Sequence, residues 1–104
     1  MVIYVDIDET ICSHDESTDG PRDYSKASPL HERINKINKL YEDGHTIVYW
    51  TARGTVTGLD WRSLTESQLS SWGVKYHDLK LGKPYYDLFI DDKNINSETY
   101  FKEI

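Results

Sequence analysis

Apolar and polar positions occur in blocks along the chain, and these blocks predict alternating strands and helices. Residues 2–6 predict a first strand, and "HTIVYWT" predicts a second strand that ends at Thr51. Shorter strands are predicted at "VKYHDL" and at "YDLFIDD", the latter ending in two acids. These strands are apolar enough to lie inside a sheet that is covered by helices.

Helical spacing of apolar residues predicts the segments between the strands. "SPLHERINKINKLYEDG" predicts a helix with Ser28 as N-cap, Pro29 at the first helical position and Gly44 at the end. "LTESQLSSWG" predicts a second helix closed by Gly73, and "INSETYFKEI" predicts a short terminal helix. This order indicates one α/β domain over residues 1–104: a three-layer sandwich around a mainly parallel sheet with strand order 4-1-2-3.

Polar side chains follow the predicted strands at their carboxyl ends, where ligands bind in parallel sheets. These residues are Asp6, Asp8, Thr51, Arg53, Asp91 and Asp92, with Lys83 in the turn before the fourth strand. Clustered carboxylates repel one another, by about 4 kcal/mol for a pair roughly 4 Å apart near a surface. Oxygen ligands suit Mg²⁺, and a lysine with a hydroxyl beside the ion suits a phosphoryl group.

The composition limits the classes of molecule that the protein is expected to bind. The chain carries 12 Lys and Arg against 18 Asp and Glu, a net charge of −6 that disfavours nucleic acid and anionic membranes. Cys12 has no partner for an internal disulfide, and no membrane-spanning run or signal peptide is evident. We expect a cytoplasmic protein that acts on a small phosphorylated substrate, with a homo-oligomeric contact left open.

The motifs resemble those of the haloacid dehalogenase (HAD) superfamily. "VIYVDIDET" is similar to its first motif, an apolar strand followed by Asp-x-Asp-x-Thr, and "TIVYWT" is similar to the second. Lys83 in "LGKP" matches the lysine of the third motif, and "DLFIDD" matches the two-acid form of the fourth. An acid at the Asp8 position resembles the phosphatase branch. Glu9 departs from the family, in which many members have Gly there.

The resemblance implies a Rossmann-like, HAD-like fold and a Mg²⁺-dependent phosphatase that works through an aspartyl-phosphate. The implied roles are nucleophile and metal ligand for Asp6, general acid/base and carbonyl metal ligand for Asp8, turn support for Thr10, phosphate binding for Thr51 and Lys83, and metal binding for Asp91 and Asp92. Arg53 either hydrogen-bonds a carbonyl or reaches a phosphate or carboxylate of the substrate. Lys80 is a local rival of Lys83.

Residues 11–28 lie where the family often inserts a cap. Eighteen residues can form a hairpin flap but not a domain, so we expect a capless phosphatase whose flap covers the site and helps to select the substrate. The side chains of residues 60–62 form either the rim of the site or a solvated loop. The four histidines show no ligand spacing, and Cys12 is expected to fill space in the core.

Other functions remain open. A phospho-acceptor domain such as a response-regulator receiver also combines acids, Thr and Lys around Mg²⁺, but with its acids in a different order. A capless module that binds without turnover is a second alternative. "TAR" and "DDK" resemble pieces of polynucleotide 3′-phosphatases, although the charge of −6 argues against a polynucleotide. The expected substrates are sugar phosphates or nucleotides.

Overall fold

The structure, a computed structural model, describes residues 1–15 and 22–102. Its strands are β1 (Val2–Val5), β2 (Cys12–Ser13), β3 (Ser28–Pro29), β4 (Thr46–Trp50) and β5 (Asp78–Lys80). Its helices are α1 (His31–Glu42), α2 (Arg62–Ser71) and α3 (Ser97–Tyr100), with a 3₁₀ turn at Tyr24–Lys26. No helix among the described residues is long and apolar enough to cross a membrane.

A three-stranded parallel sheet in the order β1-β4-β5 confirms the α/β class. Val5, Tyr49 and Leu79 lie opposite one another in the register and form one buried row. Helix α1 connects β1 to β4, and α2 connects β4 to β5, so both connections move in the same direction across the sheet. Right-handed crossovers therefore place both helices on the same face of the sheet. The residues of the core against this row are Ile34 and Ile37 from α1, Leu69 from α2, and Phe101.

The opposite face of the sheet is more open. Val2 and Tyr4 point away from the buried row and are 66% and 51% exposed. Because the described helices all join the single core cluster, they cover one face of the sheet rather than two. The three-layer prediction is therefore not met in the described part of the chain, and no cap domain is present there.

Helix α1 begins later than predicted. Ser28 and Pro29 pair with Cys12 and Ser13 as an antiparallel ribbon, and Leu30 precedes α1 without a side-chain cap. The predictions of Ser28 as N-cap and of Pro29 at the first helical position are wrong, because ribbon pairing takes both residues into β3 and α1 begins only at His31. The predicted helix ends are confirmed, since Gly44 and Gly73 follow α1 and α2 with φ of 98° and 72°.

Strand β5 is shorter and later than the predicted third strand at residues 74–79. The side chain of His77 accepts the backbone N–H of Ile47 at 3.1 Å, in the place of a ladder partner. Regular pairing with β4 begins only at Asp78, which lies opposite Val48. A side chain that competes for a backbone donor thus moves the start of the strand.

The predicted fourth strand at residues 86–92 does not form. This segment has no strand hydrogen bonding, and Leu88, Phe89 and Ile90 are 75%, 40% and 87% exposed. A local contact between the rings of Tyr86 and Phe89, with centroids 5.2 Å apart, takes the place of strand pairing. β1 therefore remains an edge strand, and the predicted order 4-1-2-3 is reduced to its last three members.

The predicted flap is described only in part, because residues 16–21 lie outside the described residues. Its two ends pair as β2 and β3. Asp23 caps the following 3₁₀ turn by accepting the N–H of Ser25 at 3.0 Å. The ring of Tyr24 lies edge-on to those of His14 and Trp61, which brings this segment to the carboxyl end of the sheet.

Candidate active site

Asp6 and Lys83 lie together at the carboxyl end of the sheet, as predicted. The Nζ atom of Lys83 is 3.4 Å from Oδ2 of Asp6, whose Oδ1 accepts the N–H of Ile7 at 2.8 Å. The backbone N–H of Lys83 donates to the carbonyl of Thr51 at 3.1 Å, which ties the lysine turn to the end of β4. Lys80, the rival lysine, is exposed in β5.

The pKa shifts of Asp6 and Lys83 indicate that the lysine remains a cation beside this carboxyl group. Burial raises the pKa of Asp6, and the charge of Lys83 offsets that effect only in part. Burial also disfavours the ammonium group of Lys83, but the hydrogen bond that Lys83 donates to Tyr86 and the charge of Asp6 outweigh it and raise the pKa of Lys83. Lys83 therefore stays charged at neutral pH and can bind an anion next to Asp6.

Asp8 has different surroundings. Arg53 donates to both carboxylate oxygens, from Nε to Oδ2 at 3.0 Å and from Nη2 to Oδ1 at 2.9 Å, and Nε2 of His14 lies 2.7 Å from Oδ1. Burial alone would raise the pKa of Asp8, but the hydrogen bonds and charge of Arg53, followed by those of His14, hold it below its usual value. In this arrangement Asp8 is ionised at neutral pH and has no proton to donate.

The Arg53 side chain is buried and bonded to groups of the protein interior. It is 2% exposed, and besides its bonds to Asp8 it donates from Nη1 to Thr65 at 3.0 Å and to Gln68 at 2.6 Å. Its Nη2 also lies 4.0 Å from the sulfur of Cys12. A guanidinium has five N–H donors, and these contacts occupy all of them. The structure therefore does not support phosphate binding by Arg53, which instead ties Asp8 to α2.

Thr51 was predicted to bind phosphate and Thr10 to support the turn after Asp8, and both make hydrogen bonds within the loops of the site. Thr51 is fully buried, and its Oγ1 accepts the backbone N–H of Arg53 at 3.1 Å. The N–H of Thr10 donates to the carbonyl of Ile7 at 3.1 Å, within the turn that follows Asp8. Glu9 occupies the left-handed region of that turn with φ of 60°, where the HAD resemblance expects Gly.

Asp91 and Asp92 do not join the other acids in the described residues. Both are exposed, and Oδ1 of Asp91 accepts the N–H of Asp92 at 2.7 Å. Within the described chain, neither belongs to a group of three or more acid, histidine or cysteine ligand atoms that lie within 4.8 Å of one another. The absence of the fourth strand explains this, because strand pairing was expected to bring them to the carboxyl edge.

Asp8, Cys12 and His14 form a different cluster, with one ligand atom from each lying within 4.8 Å of the others. Its oxygen, sulfur and nitrogen donors differ from the all-oxygen set that Mg²⁺ prefers. Arg53 already neutralises Asp8, and burial raises the pKa of the Cys12 thiol to about 12. The cluster therefore does not identify Mg²⁺ as its ligand.

The role of His14 was missed by the sequence analysis. Cys12 and His14 alternate with Ser13 along an extended segment, which places both side chains on the side of Asp8. The sequence feature that could have indicated this contact is the Cys-x-His spacing shortly after Asp8. A second feature is Arg53, which follows the end of the second predicted strand. Because Arg53 is 45 residues from Asp8 in sequence, its pairing could not be derived from local pattern.

Two adjoining cavities open at Asp6. The smaller, of about 150 Å³, is lined by Asp6, Ala52, Lys83, Pro84, Tyr85 and Tyr86. The larger, of about 410 Å³, is named here the aromatic cleft and is lined by Asp6, Asp8, Arg22, Tyr24, Ala52, Arg53, Gly54, Val56, Thr57, Leu59, Trp61 and Tyr85. Because Asp6, Ala52 and Tyr85 belong to both, Asp6 lies on the wall between them.

Residues 60–62 were expected to form either the rim of the site or a solvated loop, and the structure places only one of the three at the site. Trp61 lines the aromatic cleft. Asp60 accepts the N–H of Arg62 at 3.0 Å, while the Arg62 side chain pairs with Glu66 and donates to the carbonyl of Leu79. Trp61 is thus part of the site, and its two neighbours hold the start of α2.

No family model and no curated protein matches the chain. The fold is similar to that in the crystal structure of an MCSG target from Vibrio cholerae, with a TM-score of 0.82 over 100% of this chain and 89% of that chain. The two sequences are 23% identical, so the similarity shows a shared fold alone.

Proposed function

We propose that the protein hydrolyses small phosphomonoesters with Asp6 as the nucleophile. The observation that supports this is the Asp6–Lys83 pair, 3.4 Å apart, on the wall between two cavities. The Lys83 ammonium can hold a phosphoryl oxygen, which brings phosphorus next to the Asp6 carboxylate. The order of the HAD-like motifs supports the same assignment and the HAD-like fold.

The proposed reaction has two steps. An Asp6 oxygen bonds to phosphorus as the phosphorus–oxygen bond of the ester breaks, which gives an aspartyl-phosphate and an alcoholate that takes up a proton from solvent water. Water then attacks phosphorus, loses a proton, and releases inorganic phosphate with the carboxylate restored. Ionised Asp8 can accept the proton of that water. Because it has no proton to donate at neutral pH, esters of acidic alcohols are expected to react fastest.

A requirement for Mg²⁺ is included in the proposal on the strength of the sequence motifs alone. The cluster of Asp8, Cys12 and His14 does not identify Mg²⁺, so the proposed roles of Asp6 and Lys83 rest on their own contacts. Phosphate release with EDTA and with added Mg²⁺ measures this requirement directly. Equal rates in both would remove the metal from the proposal and leave the nucleophile in place.

Substitution of Asp6 tests the proposal. Asp6→Asn keeps the shape of the side chain but removes the attacking charge, so release of phosphate from an aryl phosphate should fall by at least about a thousandfold. Asp78→Asn, an exposed acid in β5, is the matched control and should retain wild-type turnover. A folded Asp6→Asn protein with wild-type turnover would show that another group is the nucleophile.

A further inference from the structure

We infer, on the basis of the proposed hydrolysis, that the alcohol of the substrate carries a planar aromatic or heteroaromatic ring, as in a nucleoside 5′-monophosphate. The aromatic cleft begins at Asp6, where the phosphoryl group would lie. Its volume of about 410 Å³ falls within the range of roughly 300–1,000 Å³ that is typical of small-molecule sites. The cleft therefore has room for the alcohol half of a phosphate ester.

The walls of the cleft are rich in rings and aliphatic groups. Tyr24 and Trp61 meet edge to face, with ring centroids 5.1 Å apart, and the Tyr85 ring lies on the wall shared with the smaller cavity. Val56, Leu59 and Tyr85 are 74%, 60% and 72% exposed. Exposed apolar side chains that gather around one cavity are typical of a binding site.

Tyr24 is held in place before any ligand arrives. The guanidinium carbon of Arg53 lies 4.8 Å from the centre of the Tyr24 ring. The side-chain amide of Gln68 donates to the Tyr24 carbonyl at 2.6 Å. A ring fixed by a buried arginine and by α2 loses little freedom on binding, which favours affinity for a flat partner.

Residues 54–61, which form the other walls of the cleft, are held in a closely packed loop. Gly54 has φ of 81°, and a Cβ atom there would lie 2.1 Å from the carbonyl oxygen of Leu59 and 3.4 Å from Cδ1 of Trp61. Thr57 accepts the N–H of Leu59 through its side chain at 3.2 Å. Only glycine fits this approach, so the local sequence fixes where Leu59 and Trp61 meet the cleft.

The polar groups of the cleft argue against a bare sugar as the alcohol. Asp8 and Arg53 are hydrogen-bonded to each other, and Arg22 forms an ion pair with Glu9 at 3.4 Å. Sugar hydroxyls would have to compete with these contacts, whereas a flat ring gains from stacking on the aromatic walls. The cleft is therefore better suited to a ring than to a polyol.

Adenosine 5′-monophosphate and ribose 5-phosphate form the matched pair of substrates, because they share phosphate and ribose and differ by the base. We expect kcat/KM to favour the nucleotide by about fivefold to a hundredfold, the range of stacking on aromatic side chains. Uridine 5′-monophosphate and phenyl phosphate separate purine, pyrimidine and simple aryl rings. Measurable hydrolysis with equal kcat/KM for the matched pair would overturn the ring inference and leave the proposed function standing.

Substitutions in the cleft locate the effect. Trp61→Leu and Tyr85→Leu should each lower the ratio of the two kcat/KM values toward one. Tyr85 is largely exposed, so its replacement serves where Trp61→Leu disturbs folding. Tyr4→Leu, an exposed tyrosine that lines neither cavity, should retain the wild-type ratio. An unchanged ratio in the folded Tyr85 and Trp61 variants would overturn the inference.

Binding separates failure of the inference from failure of the proposed function. If no ester is hydrolysed, the proposed function fails, and calorimetry of the same two ligands with the wild-type protein then decides on the cleft. Tighter binding of the nucleotide, weakened by Tyr85→Leu and not by Tyr4→Leu, would support the ring site on its own. Equal binding of nucleotide and ribose 5-phosphate would overturn it.

Discussion

Asp6 and Asp8 are two residues apart, yet the fold surrounds their carboxylates in opposite ways. The Asp6 side chain is 37% exposed and has one lysine 3.4 Å away, whereas that of Asp8 is 14% exposed and has Arg53 and His14 on its oxygens. Burial raises the pKa of Asp6, while the bonds of Arg53 and His14 overcome burial and lower that of Asp8. Hydrogen bonds to the charged form, rather than depth, therefore decide the direction in which each pKa moves.

This difference favours the nucleophilic role proposed for Asp6 and a positioning role for Asp8. Asp6 faces both cavities and keeps an oxygen near a single cation, which suits attack on phosphorus. Asp8 is locked between β2 and α2 through Arg53, which suits the positioning of the site and the acceptance of a proton. Two identical residue types in one short motif thus obtain different surroundings from partners elsewhere in the chain.

Removing the cation of each acid should give the largest contrast. Arg53→Met leaves the Asp8 charge buried without its main partner, so we expect the free energy of unfolding to fall by about 3–5 kcal/mol. Lys83→Met leaves Asp6 with access to water, so the loss should be within about 1 kcal/mol. Urea denaturation at pH 7 in EDTA measures both. Losses of similar size would contradict the difference in surroundings described here.

Neutralising the acids themselves should change stability in opposite directions at pH 7. Asp8→Asn removes charge-assisted hydrogen bonds to Arg53 and should destabilise the fold by about 1.5–3 kcal/mol. Asp6→Asn removes a carboxylate whose ionisation burial disfavours, so the variant should be more stable than the wild type in EDTA. Destabilisation by Asp6→Asn would reveal a structural partner of the ionised Asp6 beyond Lys83.

The pH dependence of these variants follows from the two pKa shifts. The raised pKa of Asp6 means that its cost is absent below the unfolded-state value, about 3.9, and appears as the pH rises through the folded-state value. The lowered pKa of Asp8 gives stability that is present above about 3.9 and lost as the pH falls through the folded-state value. Differences between each variant and the wild type should therefore shrink below pH 4, as urea titrations at several pH values would show.

Much of the fold was predictable because its signals are local. Apolar blocks located the parallel strands, and Gly44 and Gly73 marked the ends of the two longer helices. The rule that ligand residues follow strand ends also brought Asp6 and Lys83 together correctly.

The remaining features depend on partners that are distant in sequence. The apolar pattern of residues 86–92 predicts a strand, but a strand needs a neighbour, and this segment makes local contacts instead. Whether Arg53 reaches phosphate or a buried acid depends on a fold that places Asp8 beside it. Ser28 has the chemistry of a helix cap, yet ribbon pairing with β2 determines its conformation.

The turn after Asp8 offers the smallest and most local test of how that acid obtains its neighbours. Glu9, with φ of 60°, reverses the chain, and its N–H donates to the carbonyl of Cys12 at 3.0 Å, which helps to return Cys12 and His14 toward Asp8. A residue with a Cβ atom pays roughly 1–2 kcal/mol in this region, whereas glycine adopts it freely but is more flexible when unfolded. Glu9→Gly should therefore be more stable than Glu9→Ala by about 1 kcal/mol in urea denaturation, because both lack the ion pair with Arg22 and only alanine keeps the Cβ atom. An alanine variant as stable as the glycine variant would mean that the turn relaxes from the left-handed conformation, and the contact between His14 and Asp8 would then have to be maintained by Arg53 and Tyr24 alone.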